Sequence, residues 1–452
     1  MDVSAPSTVL IDSGLAREGT ARPVAKADRI QTIDIVRGFA LLGILMMNIP
    51  YFGLSYTAIP RFFTAPANSP DFRTLAVVSV VFEGTMRALF SMLFGAGMLL
   101  FMAKKDNLAD GYGMPDYYYR RLFWLILFGV FNAYILLWPG DILYTYGVCG
   151  LFLFPFRKMP PRNYLLIAFF CVAVSGAKGF FGAMETKEKR EGYKQAIQLE
   201  KQKKPLTDEQ KKAKEAWLTF EKNFKYDKKK EEEVNKTMLG SYGTVFTYLI
   251  PLNTKLESTK FYLSYIWDAW SLMFLGMALF KWGFFSNKLS TRTYFLTLLA
   301  GYGFGLTFGW FGFRDHVAWY TDPGKAFDSD SFPFQAFYHV RRAASAIGHA
   351  SLLLLIYRSG VVSWLMKALA NVGQMAFTNY LMQSIICTLF FYGYGFSYFG
   401  KLSYYELYFV VAAVWVFQLI FSAIWLQFFR FGPFEWLWRS LTYWKRQPMK
   451  LN

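Results

Sequence analysis

Three cysteines and three histidines are all that 452 residues supply of the side chains that most often bind metals or act as nucleophile and base. Cys149, Cys171 and Cys387 each fall inside an apolar run without metal-ligand spacing, which argues against both a zinc site and a disulfide framework and leaves them as packing residues. No GxSxG, HExxH or Walker-type phosphate loop occurs, so the motifs of soluble enzymes are silent. Gly95-Ala-Gly97 is no exception, because no strand precedes it, and it reads as a helix-packing site. Acid is short as well, with 31 Asp and Glu against 49 Lys and Arg. The basic surplus gathers at the ends of apolar runs instead of forming one stripe, which argues against a nucleic-acid partner and for anionic lipid. The first ~28 residues lack the short apolar stretch and small-residue cleavage site of a secretion signal. They are expected to form a disordered cytoplasmic tail, with the first apolar run retained as a helix.

What the chain does have is apolar and aromatic side chains, at 54% and 20%, above the ~45–50% apolar share of soluble domains. Their distribution decides the class. Apolar segments fall near 33–54, 77–103, 121–138, 141–157, 163–183, 261–283, 293–313, 335–357, 372–394 and 404–428. Most are close to the ~20 residues that cross a ~30 Å hydrocarbon core. The positive-inside count puts Arg22, Lys26 and Arg29 on the cytoplasmic side, then Lys104, Lys105, Arg120 and Arg121, then Arg157, Lys158 and Arg162. The same side receives Lys281, Lys288 and Arg292, later Arg358 and Lys367, and finally Arg430, Lys445, Arg446 and Lys450. An even number of crossings satisfies every group. The expectation is an all-α, polytopic membrane helix bundle with about ten transmembrane helices and both termini cytoplasmic, in the inner (plasma) membrane. Membrane lipids are its immediate partners, and homo-oligomerisation is left open.

Residues 184–260 break the apolar pattern, being rich in Lys, Glu and Gln. Lys228 to Lys230 followed by Glu231 to Glu233 places opposite charges three or four apart, which favours a solvated helix. Pro205, then Thr207 with Gln210 three residues on, marks a helix start with a capping box. A charged helical hairpin outside the membrane is predicted, and a plain solvated insertion accounts for it without chemistry. The stretch from Phe431 to Arg446 reads as an interfacial helix, with Pro433 in its first turn, Glu435 and Arg439 as an i,i+4 pair, and Trp436, Trp438 and Trp444 at headgroup level. The expected divisions are a tail over 1–28, five-helix membrane halves over 29–183 and 261–428, the insertion over 184–260, and an amphipathic C-terminal helix over 429–452.

Ionisable residues at membrane depth cost several kcal/mol unless paired, and normally face the bundle interior. Toward the cytoplasmic side, Asp34 and Arg37 are three apart and can pair, with Gly38 leaving room for a close neighbour. Toward the outer side lie Glu83 and Arg87 as an i,i+4 pair, then Asp141, Asp268, Arg341 and Arg342. Between these layers sit Asn48, Asn132, His349, Asn379 and Gln383. Such pairs lock helices together as readily as they bind a substrate. His349, alone on an apolar helix, reads first as a hydrogen-bonded packing residue.

Five stretches together carry a family resemblance: Asp34-Ile-Val-Arg-Gly to Asn48, Leu89-Phe-Ser-Met-Leu-Phe-Gly-Ala-Gly97, Gly140-Asp-Ile-Leu143, Gly373-Gln-Met-Ala-Phe-Thr-Asn-Tyr to Ser384, and Phe431-Gly-Pro-Phe-Glu-Trp-Leu-Trp-Arg439. The chain resembles the YeiB-like family of bacterial multi-pass membrane proteins, whose C-terminal region is a domain of unknown function. More distantly it is similar to membrane acyltransferases that modify sugars, including the heparan-glucosaminide N-acetyltransferase type. In the O-acyltransferase branch an Arg of the first helix is followed eleven positions later by a His acting as base. Arg37 matches that Arg, but Asn48 stands at the His position and can only orient or stabilise through its amide. The heparan-type branch takes its His from the loop after the first helix, and this sequence has none between 49 and 90.

Three functions remain open on these grounds, the blandest being an assembly or sensing protein whose charged hairpin binds a partner. In the first, an acyl group passes from a cytoplasmic acyl-CoA to an acceptor at the outer face. Arg37 and Asp34 would serve the donor, Asn48 would orient the carbonyl, and His316 or His339 would replace the missing base. Glu83, Arg87, Asp141, Asp268, Arg342, Asn379 and Gln383 are the candidate substrate-binding groups, and no metal is called for. In the second, the two polar layers are gates of a transporter or channel for a lipid or small metabolite.

Overall fold

The computed structural model describes residues 30–103, 113–329 and 334–451; the expected tail and Arg22, Lys26, Arg29, Lys104 and Lys105 lie outside the described residues. The named elements are all helical, and among the described residues the one β contact is an isolated bridge between Phe429 and Lys450. In chain order the main helices are α1 (Gln31–Gly53), α2 (Thr85–Ala103), α3 (Met114–Tyr134), α4 (Leu143–Leu151) and α5 (Pro161–Lys201). The charged region gives α6 (Asp208–Lys222), α7 (Lys228–Met238) and α8 (Tyr242–Lys255). Then come α9 (Ile266–Lys281), α10 (Thr291–Thr321), α11 (Tyr338–Ser359), α12 (Ser363–Gln374), α13 (Ala376–Phe391), α14 (Leu407–Phe428) and α15 (Pro433–Tyr443).

Among the described residues six helical spans are long and apolar enough to cross a membrane: Gln31–Gly53, Pro70–Ala103, Pro161–Lys201, Tyr242–Lys281, Thr291–Thr321 and Leu407–Phe428. With its bare apolar flanks, such as Phe169 and Phe409 at 73% and 69% exposed, the chain is an integral membrane protein. The other four expected crossings are shorter or more polar. The run at 141–157 yields only the 9-residue α4 before a 3-10 turn at Phe154–Phe156, and nine residues reach roughly 14 Å, about half a hydrocarbon core. The run at 372–394 is broken at Met375, which leaves the 16-residue α13.

The interior is built on close helix contacts. A Cβ at Gly38 would run into the Leu369 carbonyl, and one at Gly373 into the Asp34 carbonyl, so α1 and α12 touch backbone to backbone. Gly95 meets the Met273 backbone in the same way, as a packing glycine should. Gly97 has only the Arg37 guanidinium near it, at 4.0 Å.

The charged region begins as the membrane helix α5 simply continues to Lys201, ~60 Å in all. Thr207 then caps α6 through the Gln210 N–H, with the reciprocal Gln210 side-chain bond completing the expected capping box. Its other boundary differs from expectation: helix resumes at Tyr242 and runs through a π-helical Leu256–Tyr265 into α9, so the apolar rod starts well before 261.

Candidate functional site

The site forms where a membrane helix is interrupted. Pro70–Val77 runs into a π-helical turn at Val78–Phe82, Glu83 leaves helical geometry at ψ 120°, and Gly84 takes φ +72° before α2 starts at Thr85. Only glycine accepts that φ without strain, and a Cβ there would also stand 2.6 Å from the Tyr338 hydroxyl. The break has an electrostatic result. Glu83 and Arg87 are not on one continuous helix, so the i,i+4 pair expected from the sequence does not form. Arg87 instead reaches Asp268 at the start of α9 (3.0 Å), and Glu83 accepts from Arg341 on α11 (3.1 Å).

Asp268 is the hub. Besides Arg87 it takes Arg342 Nη2 and His339 Nδ1, the latter at 3.0 Å, both from the first turns of α11. Three guanidiniums face two carboxylates here, an excess of one positive charge in a nearly dry setting. Arg342 is 0% exposed and Arg341 2%, whereas the Arg87, Glu83 and His339 side chains keep 38%, 28% and 24%. The last three are therefore the face that a substrate can touch. Among the described residues Arg342 Nε and Nη1 and Arg341 Nη1 have no hydrogen-bond partner, although both guanidiniums lie against the Tyr338 ring. Tyr146 ties the neighbouring α4 in, its hydroxyl 2.7 Å from Ser91 Oγ and 3.4 Å from the Arg87 carbonyl.

His339 Nδ1 lies 3.0 Å from Asp268 Oδ1 and 3.2 Å from Arg342 Nη2; in the tautomer that donates Nδ1–H to Asp268 the Nε2 lone pair is left free, as a general base requires. His316, on α10 against Phe63 (6.0 Å) and Trp319 (5.1 Å), lies within electrostatic range of the Glu83–Arg341 pair on the other side of the cluster from the Asp268 hub. His349 uses both ring nitrogens, on the Tyr302 hydroxyl (2.8 Å) and the Val81 carbonyl (3.1 Å), and is the packing histidine expected. Asn48 stands half-buried, eleven residues or ~16 Å beyond Arg37 along α1.

The remaining predicted residues fall into other groups. Asp141 accepts from Asn132 Nδ2 (2.8 Å), the Tyr144 N–H (2.8 Å) and Tyr380 (3.3 Å), capping α4 and tying it to α3 and α13. Asn379 donates to Ser422, and Gln383 to Gln418 and the Leu41 carbonyl, so both join α13 to α14, and Gln383 also to α1. Asp34 and Arg37 pair at 2.8 Å as expected, at the opposite end of α2 from Arg87. Glu435 does not pair with Arg439. It is buried and accepts the Phe377 N–H (2.7 Å), the Thr378 N–H (3.0 Å) and the Thr378 hydroxyl, because the free N–H groups at the start of α13 attract an anion. Sequence reasoning missed Tyr146 and Tyr338; aromatic residues are too common in this chain for any one to stand out.

Residues 279–445 match a family model described as a protein of unknown function (DUF418). Over nearly its whole length the chain is similar to the uncharacterized protein YeiB of Escherichia coli, at 30% identity covering 92% of this chain and 96% of the relative. It is similar to the uncharacterized protein YxaH of Bacillus subtilis at 29% identity, covering 95% and 98%. An uncharacterized 39.9 kDa protein of Bacillus acidopullulyticus is 26% identical over 95% of this chain. No solved structure matches.

Proposed function

This chain belongs to the YeiB-like family of bacterial membrane proteins, and from that premise we propose that it is a membrane acyltransferase, moving an acyl group from a cytoplasmic acyl-CoA to an acceptor at the outer face. The observation that carries the reading is the 3.0 Å contact of His339 Nδ1 with the buried Asp268 carboxylate. It supplies the oriented base that neither Asn48 nor the segment 49–90 provides. His339 Nε2 takes the proton of the acceptor hydroxyl or amine, whose heteroatom attacks the thioester carbonyl. Arg87, exposed beside the dyad, stabilises the tetrahedral oxyanion. Collapse of that intermediate breaks the C–S bond, and the imidazolium returns its proton to the leaving thiolate.

Arg37, with Asp34 as its partner, serves the phosphates of the donor at the other end of α2, and Asn48 orients the carbonyl between the two layers. The reading requires that donor and acceptor approach from opposite faces of the inner membrane, with both termini cytoplasmic. In purified protein His339→Ala is expected to lower acyl-CoA consumption at least ~100-fold, the scale of a lost general base, while His316→Ala leaves it within a few fold. Unchanged turnover in His339→Ala removes the base role. Solute or lipid flux in proteoliposomes with no release of CoA replaces the enzyme by a transport pathway through Glu83, Arg87 and Asp268.

A further inference from the structure

The start of α3 and the chain just after α15 form a groove of about 450 Å³ that plays no part in the acyl-transfer reading. Its wall is one stripe of α3: Asp116, Tyr119, Arg120, Phe123, Trp124 and Leu127, with Trp444 facing it. Spacings of three and four keep these side chains on one helix face. The stripe changes character along its length. Asp116 and Arg120 are at one end; Phe123 and Leu127, at 57% and 54% exposed, are at the other. That gradient, polar to apolar over eleven residues or ~16 Å, is the profile of a phospholipid, phosphate first and acyl chain after.

The polar end is positive and held in place. Arg120 donates to the Thr442 carbonyl (3.3 Å) and stacks on Trp444 at 4.4 Å, while Arg121 behind it lies 3.7 Å over Trp438. Asp116, held on the Gly113 N–H at 2.8 Å as part of the α3 start, offsets one positive charge, and Arg120, Arg121, Lys445 and Arg446 outnumber it. Lys445 and Arg446 follow Trp444 directly. A choline or ethanolamine headgroup would bring a cation into this surrounding, whereas an anionic headgroup brings none. Trp444, 71% exposed and held at φ 49°, presents its indole outward, and tryptophans so presented anchor to headgroups.

We propose that this groove is a binding site for one anionic phospholipid, with its phosphate at Arg120 and Trp444 and an acyl chain along Phe123, Trp124 and Leu127. The test uses the full chain in detergent, offered equal amounts of phosphatidylglycerol and phosphatidylcholine with identical acyl chains, and native mass spectrometry to count the lipids retained. The wild type is expected to retain phosphatidylglycerol about fivefold over phosphatidylcholine, the factor for one basic side chain at an anionic headgroup. Arg120→Ala should bring the ratio to about one. Trp444→Ala, on an exposed residue whose loss does not threaten folding, should lower retention of phosphatidylglycerol without affecting a His339-dependent turnover. Equal retention of both lipids by the wild type overturns the proposal. So does a preference that persists in both variants, or one that only Lys445→Ala with Arg446→Ala removes, since the charge would then belong to the tail and not to the groove.

Discussion

At the scale of single residues, Asp268 and Asp328 show two uses of a carboxylate. Asp268 is buried among Arg87, Arg342 and His339, and removing it would leave the fully buried Arg342 guanidinium without its carboxylate, so its replacement tests folding as much as chemistry. Asp328, in the short helix Pro323–Asp328 that follows α10, is a clamp on the outer part of α5. Hydrogen bonds from Arg190 (3.0 and 2.7 Å) and the Lys194 ammonium pull its carboxyl down to about 2. Because this value lies below the ordinary 3.8, the clamp is fully present above about pH 4 and is lost as pH falls toward 2. Asp328→Asn should remove it at neutral pH as well. The expected cost is at most on the order of 1 kcal/mol, since the groups are partly solvated. Hydrogen exchange across 185–201 reads it, and the variant should match the acidified wild type; identical exchange in wild type and variant at pH 7 would deny the clamp. Neither role was legible in the sequence. Asp268 and His339 are 71 positions apart and share no motif, and Asp328 lies far in sequence from the charged region it holds.

At the scale of elements, the apolar runs announced most helices because the bilayer demands length and apolarity, and Thr207 with Gln210 announced a start because a capping box is local. What failed was pairing within an assumed continuous helix. Glu83 and Arg87 have the right spacing, yet the φ +72° turn at Gly84 sends them to different partners. Glu435 and Arg439 also have the right spacing, yet the start of α13 takes the carboxylate. A spacing rule compares two side chains with water, and here a third partner from a distant helix outbids both. The role of Glu435 as the anion at the start of α13 is testable. Glu435→Ala leaves two buried N–H groups and the Thr378 hydroxyl without their acceptor, a loss of about 1–3 kcal/mol. The melting temperature of the purified protein should fall by several degrees, and Glu435→Gln, which keeps one carbonyl acceptor, should recover most of it. Equal melting of Glu435→Ala and wild type would mean that α13 begins without help from α15.

At the scale of the whole molecule, the charged region is a roof whose attachment differs in kind from the packing beneath it. The bundle is joined by backbone contacts such as Gly38 with Leu369 and by buried side-chain networks such as Gln383 with Gln418. The roof is joined by a few anchors: Glu231 to Arg61 (3.1 Å), Arg190 and Lys194 to Asp328, the Gly393 N–H to the Met238 carbonyl, and one aromatic cluster. At the centre of that cluster is Trp217, 0% exposed, with Phe220 at 5.4 Å, Phe327 at 5.9 Å and the Arg190 guanidinium 4.8 Å over its ring. Truncating such a tryptophan costs about 3–5 kcal/mol, more than a hairpin held at a few points can absorb and less than the bundle's own cohesion. Trp217→Ala is therefore expected to open the turn between α5 and α6, which carries Lys201, Lys203 and Lys204, to trypsin at least tenfold faster than in wild type. The main melting transition should move by no more than a few degrees, because no residue of the Asp268 cluster comes from the roof. If cleavage stays slow while melting drops sharply, roof and bundle unfold as one unit, and the few-anchor account of the charged region fails.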